Sequence, residues 1–345
     1  MFKFELKSDI REIDKNVIRF KIDFPPFEGL TFVCMYLLRI DNSNVLIDAG
    51  LHFTDWKKKF LSGLEKFSLS IKDIDYCIVT HDHIDHIGLI KTLKRKNPDM
   101  QILMHKITHD LIKWGTDVKN NEEVEMVAKE LAEQMIRFGI GKEKGDKIVQ
   151  FFTNWHKLIN YCKPDRLLYD NDEILFDSNK LKVIWTPGHA LGHICIFDTV
   201  NKYLFSGDHI LSRITPHIGS FIINPELRNE YDFTNILEYY LKSLDIIDNL
   251  NPKIIFPAHQ EVIYNSHERI LDIKKHHENR LHEISSIVKN NPLTPFRICQ
   301  IHFGEDLSEI NTFLGISEVL SHLIYLEIQG KVKRLEKNAE ILFYS

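Results

Sequence analysis

Short apolar runs separated by turn-forming residues fill the first fifty positions. Strand-like segments cover residues 2–6, 17–22, 34–40 and 45–48, with breaks at Pro25-Pro26 and at Asp41-Asn42-Ser43-Asn44. This pattern predicts a meander of strands that ends in Asp48-Ala49-Gly50. A helix is then expected over residues 55–67, a strand over 76–79 and a helix to residue 96, which Asn97-Pro98 closes. Residues 101–104 return as a strand. Strand and helix alternating in this way predict sheets covered by helices.

Residues 105 to about 165 break that rhythm. Val124, Val127, Leu131, Met135 and Phe138 recur at helical spacing, as do Ile148, Phe151, Phe152, Trp155 and Ile159, so a helical insertion is expected. Two roles fit it: helices that pack on their own core, or an aromatic helix over 148–159 that roofs a site and shapes an apolar substrate pocket. Strands resume at residues 166–169, 173–176, 181–185, 194–197 and 203–205, followed by a helix over 232–248 and a strand over 253–256. The last segment reads as helices over 267–290, near 296–302 and over 317–329, then strands over 332–335 and 341–343. That is a winged-helix order. Two domains are therefore expected, residues 1–265 and 266–345.

With 345 residues, of which 43% are hydrophobic, the chain can bury one large core and a smaller one. Its formal net charge of −5 supplies no electrostatic footprint for nucleic acid or an anionic membrane. The winged-helix-like segment holds 10 Lys/Arg against 11 Asp/Glu, so it reads as a structural or dimerising unit, a homodimer being one expected assembly, rather than as a DNA reader. No stretch reaches the roughly 18 apolar residues of a membrane span, and the first residues lack an apolar signal core, so a cytoplasmic location is expected. Five scattered cysteines form no C-x-x-C pair and read as reduced core residues.

The chemistry is concentrated in Thr80-His81-Asp82-His83-Ile84-Asp85-His86-Ile87-Gly88, directly after an apolar strand. Imidazole and carboxylate at this density point to Zn²⁺, Fe²⁺ or Mn²⁺. His81 and His83 point the same way in extended chain and could share one ion. Asp85 and His86 fall on the following helical turn, face elsewhere and suggest a second ion. Asp82 reads as solvated or supporting. Three later strand ends each present a further donor: His189 after Thr186-Pro187-Gly188, Asp208 after Ser206-Gly207, and His259 after Pro257-Ala258. A carboxylate buried there without a partner would be costly, and a carboxylate can bridge two cations.

In this pattern the chain resembles the metallo-β-lactamase superfamily, whose signature is His-x-His-x-Asp-His followed by a His, an Asp and a His on later strands. The resemblance extends over about residues 15–265. It implies a four-layer αββα sandwich of the α+β/α/β type. It also implies that His81, His83 and His189 bind a first metal, that Asp85, His86 and His259 bind a second, and that Asp208 bridges them. Thr80 and Gly88 match as supporting and turn positions. The C-terminal segment, with Gly207-Asp208-His209-Ile210-Leu211 and Ile214-Thr215-Pro216, is most similar to the branch that includes the β-lactamase-like protein 2 hydrolases and glyoxalase II-like chains.

A dinuclear site of this kind implies a hydrolase in which hydroxide held by two divalent metals, zinc first and iron or manganese otherwise, is the nucleophile. The expected substrate is a small molecule with an apolar portion, an ester, thioester or lactone; phosphodiester or RNA cleavage is the alternative. Asp85 and Asp208 are the expected catalytic carboxylates. His209 and His217 are candidate proton donors or oxyanion ligands, or else hydrogen-bonded supports. His52 is expected in the pocket wall.

Overall fold

The computed structural model describes residues 6–27, 30–117, 121–155, 161–219, 230–289 and 291–345. Strands β1 (Ser8–Asp14), β2 (Val17–Phe27), β3 (Leu30–Ile40) and β4 (Ser43–Ile47) form an antiparallel meander. Helix α1 (Thr54–Lys66) crosses to β5 (Tyr76–Val79), which lies parallel to β4. The short helices α2 (Ile84–Ile87) and α3 (Ile90–Lys96) lead to β6 (Gln101–His105), and β7 (Arg166–Leu168) completes a seven-stranded sheet in chain order. A second sheet has the order β12-β11-β10-β9-β8. It contains β8 (Glu173–Leu175), β9 (Lys180–Trp185), β10 (Ile194–Asp198), β11 (Tyr203–Gly207) and β12 (Ile254–Pro257). Helix α7 (Ile236–Leu250) makes the parallel crossover from β11 to β12.

The insertion supplies α4 (Lys106–Asp117), α5 (Asn121–Arg137) and α6 (Lys142–Trp155). The C-terminal part supplies α8 (Ser266–Ile287), α9 (Pro295–Phe303), α10 (Glu309–Ile328) and the hairpin β13 (Lys333–Lys337) and β14 (Glu340–Tyr344).

Period-two alternation divides the strand side chains between two cores. On β3, Val33, Met35 and Leu37 join Trp56, Phe60 and Leu64 of α1, whereas Cys34, Tyr36 and Leu38 face the second sheet's Val183, Ile196, Phe205 and Phe256. The Tyr36 hydroxyl donates to the Pro257 carbonyl at 2.6 Å and ties the sheets together next to His259. A third core joins Ile184, Phe197 and Leu204 to Leu237, Tyr240 and Leu244 of α7 and Ile270 of α8.

Several expectations change. The strand expected over 2–6 falls largely outside the described residues, while β1, at Ser8–Asp14, was not expected: only Ile10 of it is buried, so it carries no clear pattern. β2 continues through Pro25-Pro26, at the cost of a register shift between Asp23 and Phe27 where the prolines have no N–H to donate. The single helix expected up to residue 96 is divided at Gly88 and Leu89. The insertion does not keep a core of its own: Leu131, Met135, Ile148 and Val149 pack with Ile284, Ile298, Phe313 and Phe343 of the C-terminal part. The side chains of Phe151, Phe152, Trp155 and Ile159, on which a roof would depend, lie outside the described residues. No described helix is long and apolar enough to cross a membrane.

Candidate metal centre

Every residue of the His/Asp pattern stands just beyond the C-terminal end of a strand. His81 to His86 follow β5, His189 follows β9, Asp208 follows β11 and His259 follows β12, so both sheets deliver donors to one edge. The donor atoms separate into two groups, His81, His83, His189 and Asp208 in one and Asp85, His86 and His259 in the other, each with its atoms within 4.8 Å of one another. Asp208 reaches both groups: Oδ1 lies 3.6 Å from His86 Nε2 and Oδ2 lies 3.4 Å from His259 Nε2 of the other group and 3.4 Å from His189 Nε2 of its own. His259 Nε2 is also 3.2 Å from Asp85 Oδ2, and His189 Nε2 is 3.1 Å from His83 Nδ1.

The surroundings fix which ring nitrogen is left for a metal. A carbonyl only accepts, so His189 Nδ1–H donates to the His217 carbonyl at 3.1 Å and His259 Nδ1–H to the Phe32 carbonyl at 2.8 Å. His86 Nδ1–H donates to the Asp48 carboxylate at 2.8 Å, and the Thr80 hydroxyl, which donates to Asp48, can accept from His81 Nδ1–H at 3.1 Å. The Nε2 lone pairs of these rings therefore face the centre. The Nε2 atoms of His81, His86 and His259 and the Oδ1 of Asp208 are buried without a hydrogen-bond partner. Buried polar atoms seldom remain unpaired, and four of them facing one space with His and Asp chemistry fit divalent cations.

The protonation states follow the same division. Burial, with the neighbouring His86 and His83 rings, holds His81 well below its usual range, and burial with His83 pushes His189 down to about 4. Burial also disfavours charge on His259, but Asp208 and Asp85 outweigh it and raise the ring to about 10. In His86 the carboxylates of Asp48, Asp85 and Asp208 overcome burial in the same direction. Burial opposes ionisation of Asp208 as well, yet His259 and His86 keep its carboxyl well below the ordinary range.

The other expected residues lie around this centre. His209 is fully buried, with Nε2 3.1 Å from the Ser243 hydroxyl and its ring against Tyr240. His217 has Nε2 2.6 Å from the Ser317 hydroxyl. His52 is exposed in the loop on which Gly88 packs, and Asp82 is partly buried beside His81. Two supporting residues were not singled out from the sequence. Asp48, in left-handed backbone with φ 64°, accepts from the Thr80 amide as well as from His86. His193 accepts from the Asp208 amide at 3.1 Å through Nε2 while Nδ1 meets the Thr186 hydroxyl at 2.8 Å. Asp48 could have been found by the rule that exposed the others, a polar donor at the end of an apolar strand; His193 precedes its strand and gives no such signal.

Sheets that deliver clustered His and Asp donors to one edge in this way define a metal-binding class of protein. The model of the metallo-β-lactamase superfamily matches residues 29–259, and the chain belongs to that superfamily. Among curated relatives, "Probable metallo-hydrolase YqjP" of Bacillus subtilis is 24% identical over 318 residues, covering 92% of this chain and 94% of the relative. "Lactamase-like protein aptB" of Emericella nidulans is 22% identical, covering 83% of this chain and 73% of the relative. A metallo-β-lactamase family protein from Thermus thermophilus superposes with a TM-score of 0.76 at 21% identity, over 95% of this chain and 98% of its own. A β-lactamase domain protein from Burkholderia ambifaria gives 0.78 at 22% identity, over 97% and 93%. These two solved structures share the fold.

Proposed function

We propose that the chain hydrolyses an ester, thioester or lactone at a dinuclear centre in which His81, His83 and His189 hold one divalent ion, Asp85, His86 and His259 hold another, and Asp208 lies between them. The observation that carries this reading is the pair of donor groups joined through Asp208. Zinc suits the borderline imidazole donors and the carboxylates. When bound, two such ions polarise a substrate oxygen and lower the pKa of a coordinated water from about 15.7 to about 7. The remaining work belongs to the protein. Asp48, Thr80, Phe32 and His217 fix the ring tautomers, so that the lone pairs point inward without rearrangement. Asp85, ionised beside His86 and His259, would both hold its metal and orient the attacking water.

In the same reading the chain is a four-layer αββα sandwich over residues 1–265 with a C-terminal winged-helix-like unit over 266–345. The net charge of −5 favours an uncharged or acyl substrate over a polyanion. Metal analysis joined to a hydrolysis screen tests the proposal. Two divalent ions per chain and turnover of a thioester or lactone panel are expected, and Asp208→Ala should lose both metal and turnover. Activity retained in Asp208→Ala would overturn the dinuclear mechanism. Turnover of bis-p-nitrophenyl phosphate with none of the acyl substrates would transfer the site to phosphodiesters.

A further inference from the structure

Helix α10 buries Ser317, Glu318, Ser321 and His322 on adjoining turns. Groups of this kind are costly in an interior unless they are paired. Ser317, Glu318 and Ser321 find partners on the hydrolase side in His217 and Ile218, part of the segment that also touches the metal centre, whereas His322 is bonded within the C-terminal part. The His217 carbonyl receives the Nδ1–H of His189 at 3.1 Å. Its ring is held from α10, with Nε2 at 2.6 Å from the Ser317 hydroxyl and 3.0 Å from the Leu314 carbonyl. The next amide, Ile218 N–H, donates to Glu318 Oε2 at 2.7 Å, and the Ile218 carbonyl accepts from the Ser321 hydroxyl at 3.3 Å. Gly219 N–H returns to the Gly188 carbonyl at 3.3 Å, immediately before His189. The fit is close on the helix side: a Cβ on Gly219 would fall 2.8 Å from the Ser317 carbonyl oxygen.

From this arrangement we infer that Glu318 is a positioning residue for the metal centre: it anchors the segment whose carbonyl orients His189, so that the C-terminal unit builds one side of the site. The inference rests on the reading of His81, His83 and His189 as metal ligands. Glu318 is suited to the task because it is buried and ionised, held so by His322, His217 and Arg280 against the cost of burial. Charge-assisted hydrogen bonds are stronger and shorter than neutral ones, and this one closes a path of one residue from carboxylate to ligand. His277, Glu318 and His322 also cluster as if to hold a cation of their own. The carboxylate is already engaged, however: Arg280 Nη1 donates to Oε1 at 2.6 Å, the Ile218 amide takes Oε2, and His322 Nδ1 donates to the Glu318 carbonyl at 2.7 Å. The cluster is a brace rather than a further site.

Cobalt(II) titration of the metal-free full chain tests this, with the visible ligand-field spectrum and chelator competition as readouts. Wild type should take up two equivalents. Glu318→Ala should bind one of them roughly 10–100-fold more weakly, as expected for loss of a partner behind a ligating histidine, with a changed spectrum for that equivalent only. Glu318→Asp keeps the charge beside Arg280 but withdraws the oxygen from the Ile218 amide, and should weaken the same equivalent; it serves if the alanine variant does not fold. Glu318→Gln, which still offers an acceptor to that amide but loses the charge beside Arg280, should fall between Glu318→Ala and wild type. A folded Glu318→Ala or Glu318→Asp protein that binds both equivalents with wild-type affinity and spectrum would overturn the inference. Failure of the wild-type chain to take up two equivalents would instead overturn the underlying assignment of the ligands, and the inference with it.

Discussion

His86 Nδ1 lies 2.8 Å from Asp48 Oδ2, linking the first turn beyond β5 to the end of the neighbouring strand β4. The same carboxylate accepts from the Thr80 amide at 2.8 Å and from the Thr80 hydroxyl at 2.9 Å, so one buried charge orients two segments of the metal centre. Removing it frees the His86 ring and leaves the Thr80 amide unpaired. Asp48→Ala is expected to weaken one metal equivalent by roughly 10–100-fold. Asp48→Asn, which keeps an acceptor but loses the charge, should fall between. Metal competition against a chromogenic chelator measures both, and wild-type affinity in the alanine variant would show that Asp48 serves folding only.

Metal loading should release protons. In the metal-free protein His259 titrates at about 10 and His86 well above its ordinary value, so both rings are protonated near neutrality, whereas Asp85, at about 2, is already ionised. A cation must displace those protons, so apparent affinity rises with pH until the rings deprotonate on their own. Calorimetry in two buffers of different ionisation enthalpy counts the protons. The linkage has a second consequence. For His259 the folded value exceeds the unfolded value of about 6.5, so its contribution to stability is complete below that pH and is lost as pH rises through about 10. The metal-free melting temperature should therefore decline over this range, and a flat profile would contradict the assignment.

Most of this candidate centre was legible in the sequence because clustered His and Asp donors are placed by a local device. A strand buried on both faces reads as an apolar run, and the polar residue immediately beyond it must have a reason to be there. That logic picks out His81, His83, Asp85, His86, His189, Asp208 and His259 together. It fails where support comes from a distant element through the backbone. Nothing local to His217 announces that its carbonyl serves His189, and Glu318 lies 100 positions from Ile218, the residue whose amide it binds. Helix α10 was likewise legible only in part: it begins at Glu309 rather than at 317, because Asn311, Thr312 and Gly315, all weak helix formers, blur the pattern of its first turns. Shared cores are invisible in the same way as distant supports. Periodicity shows that α5 and α6 have an apolar face and says nothing of its partner, which proves to include α9 and α10.

Gly88 is expected to tolerate no side chain. Its backbone is ordinary, with φ −56°, so the constraint is space rather than conformation. A Cβ there would fall 2.5 Å from the His52 amide nitrogen and against the Gly50 carbonyl, both of them backbone atoms. The Gly88 amide itself donates to the Gly50 carbonyl at 2.7 Å and the Ala49 amide to the His86 carbonyl at 2.6 Å, so any shift of this loop reaches the candidate metal ligands. Gly88→Ala should cost about 1–3 kcal/mol, the range for overpacking. Denaturant unfolding of the metal-free protein gives the stability loss, and chelator competition should show weaker binding in the same variant.

Removal of the metals should loosen the two sheets from one another. His81, His83, Asp85 and His86 follow a strand of the seven-stranded sheet, whereas His189, Asp208 and His259 follow strands of the five-stranded sheet, so each donor group draws on both. Ions bound there act as cross-links that exist in the folded state alone. They stabilise it by mass action, about 2.7 kcal/mol when free metal is at 100 times its Kd. The melting temperature should accordingly rise with metal concentration and fall on chelation. Asp208→Ala, which removes the carboxylate between the donor groups, should melt near the chelated wild type and respond little to added metal. A chelator-independent melting temperature in a metal-loaded wild-type protein would show that the ions do not bridge the sheets.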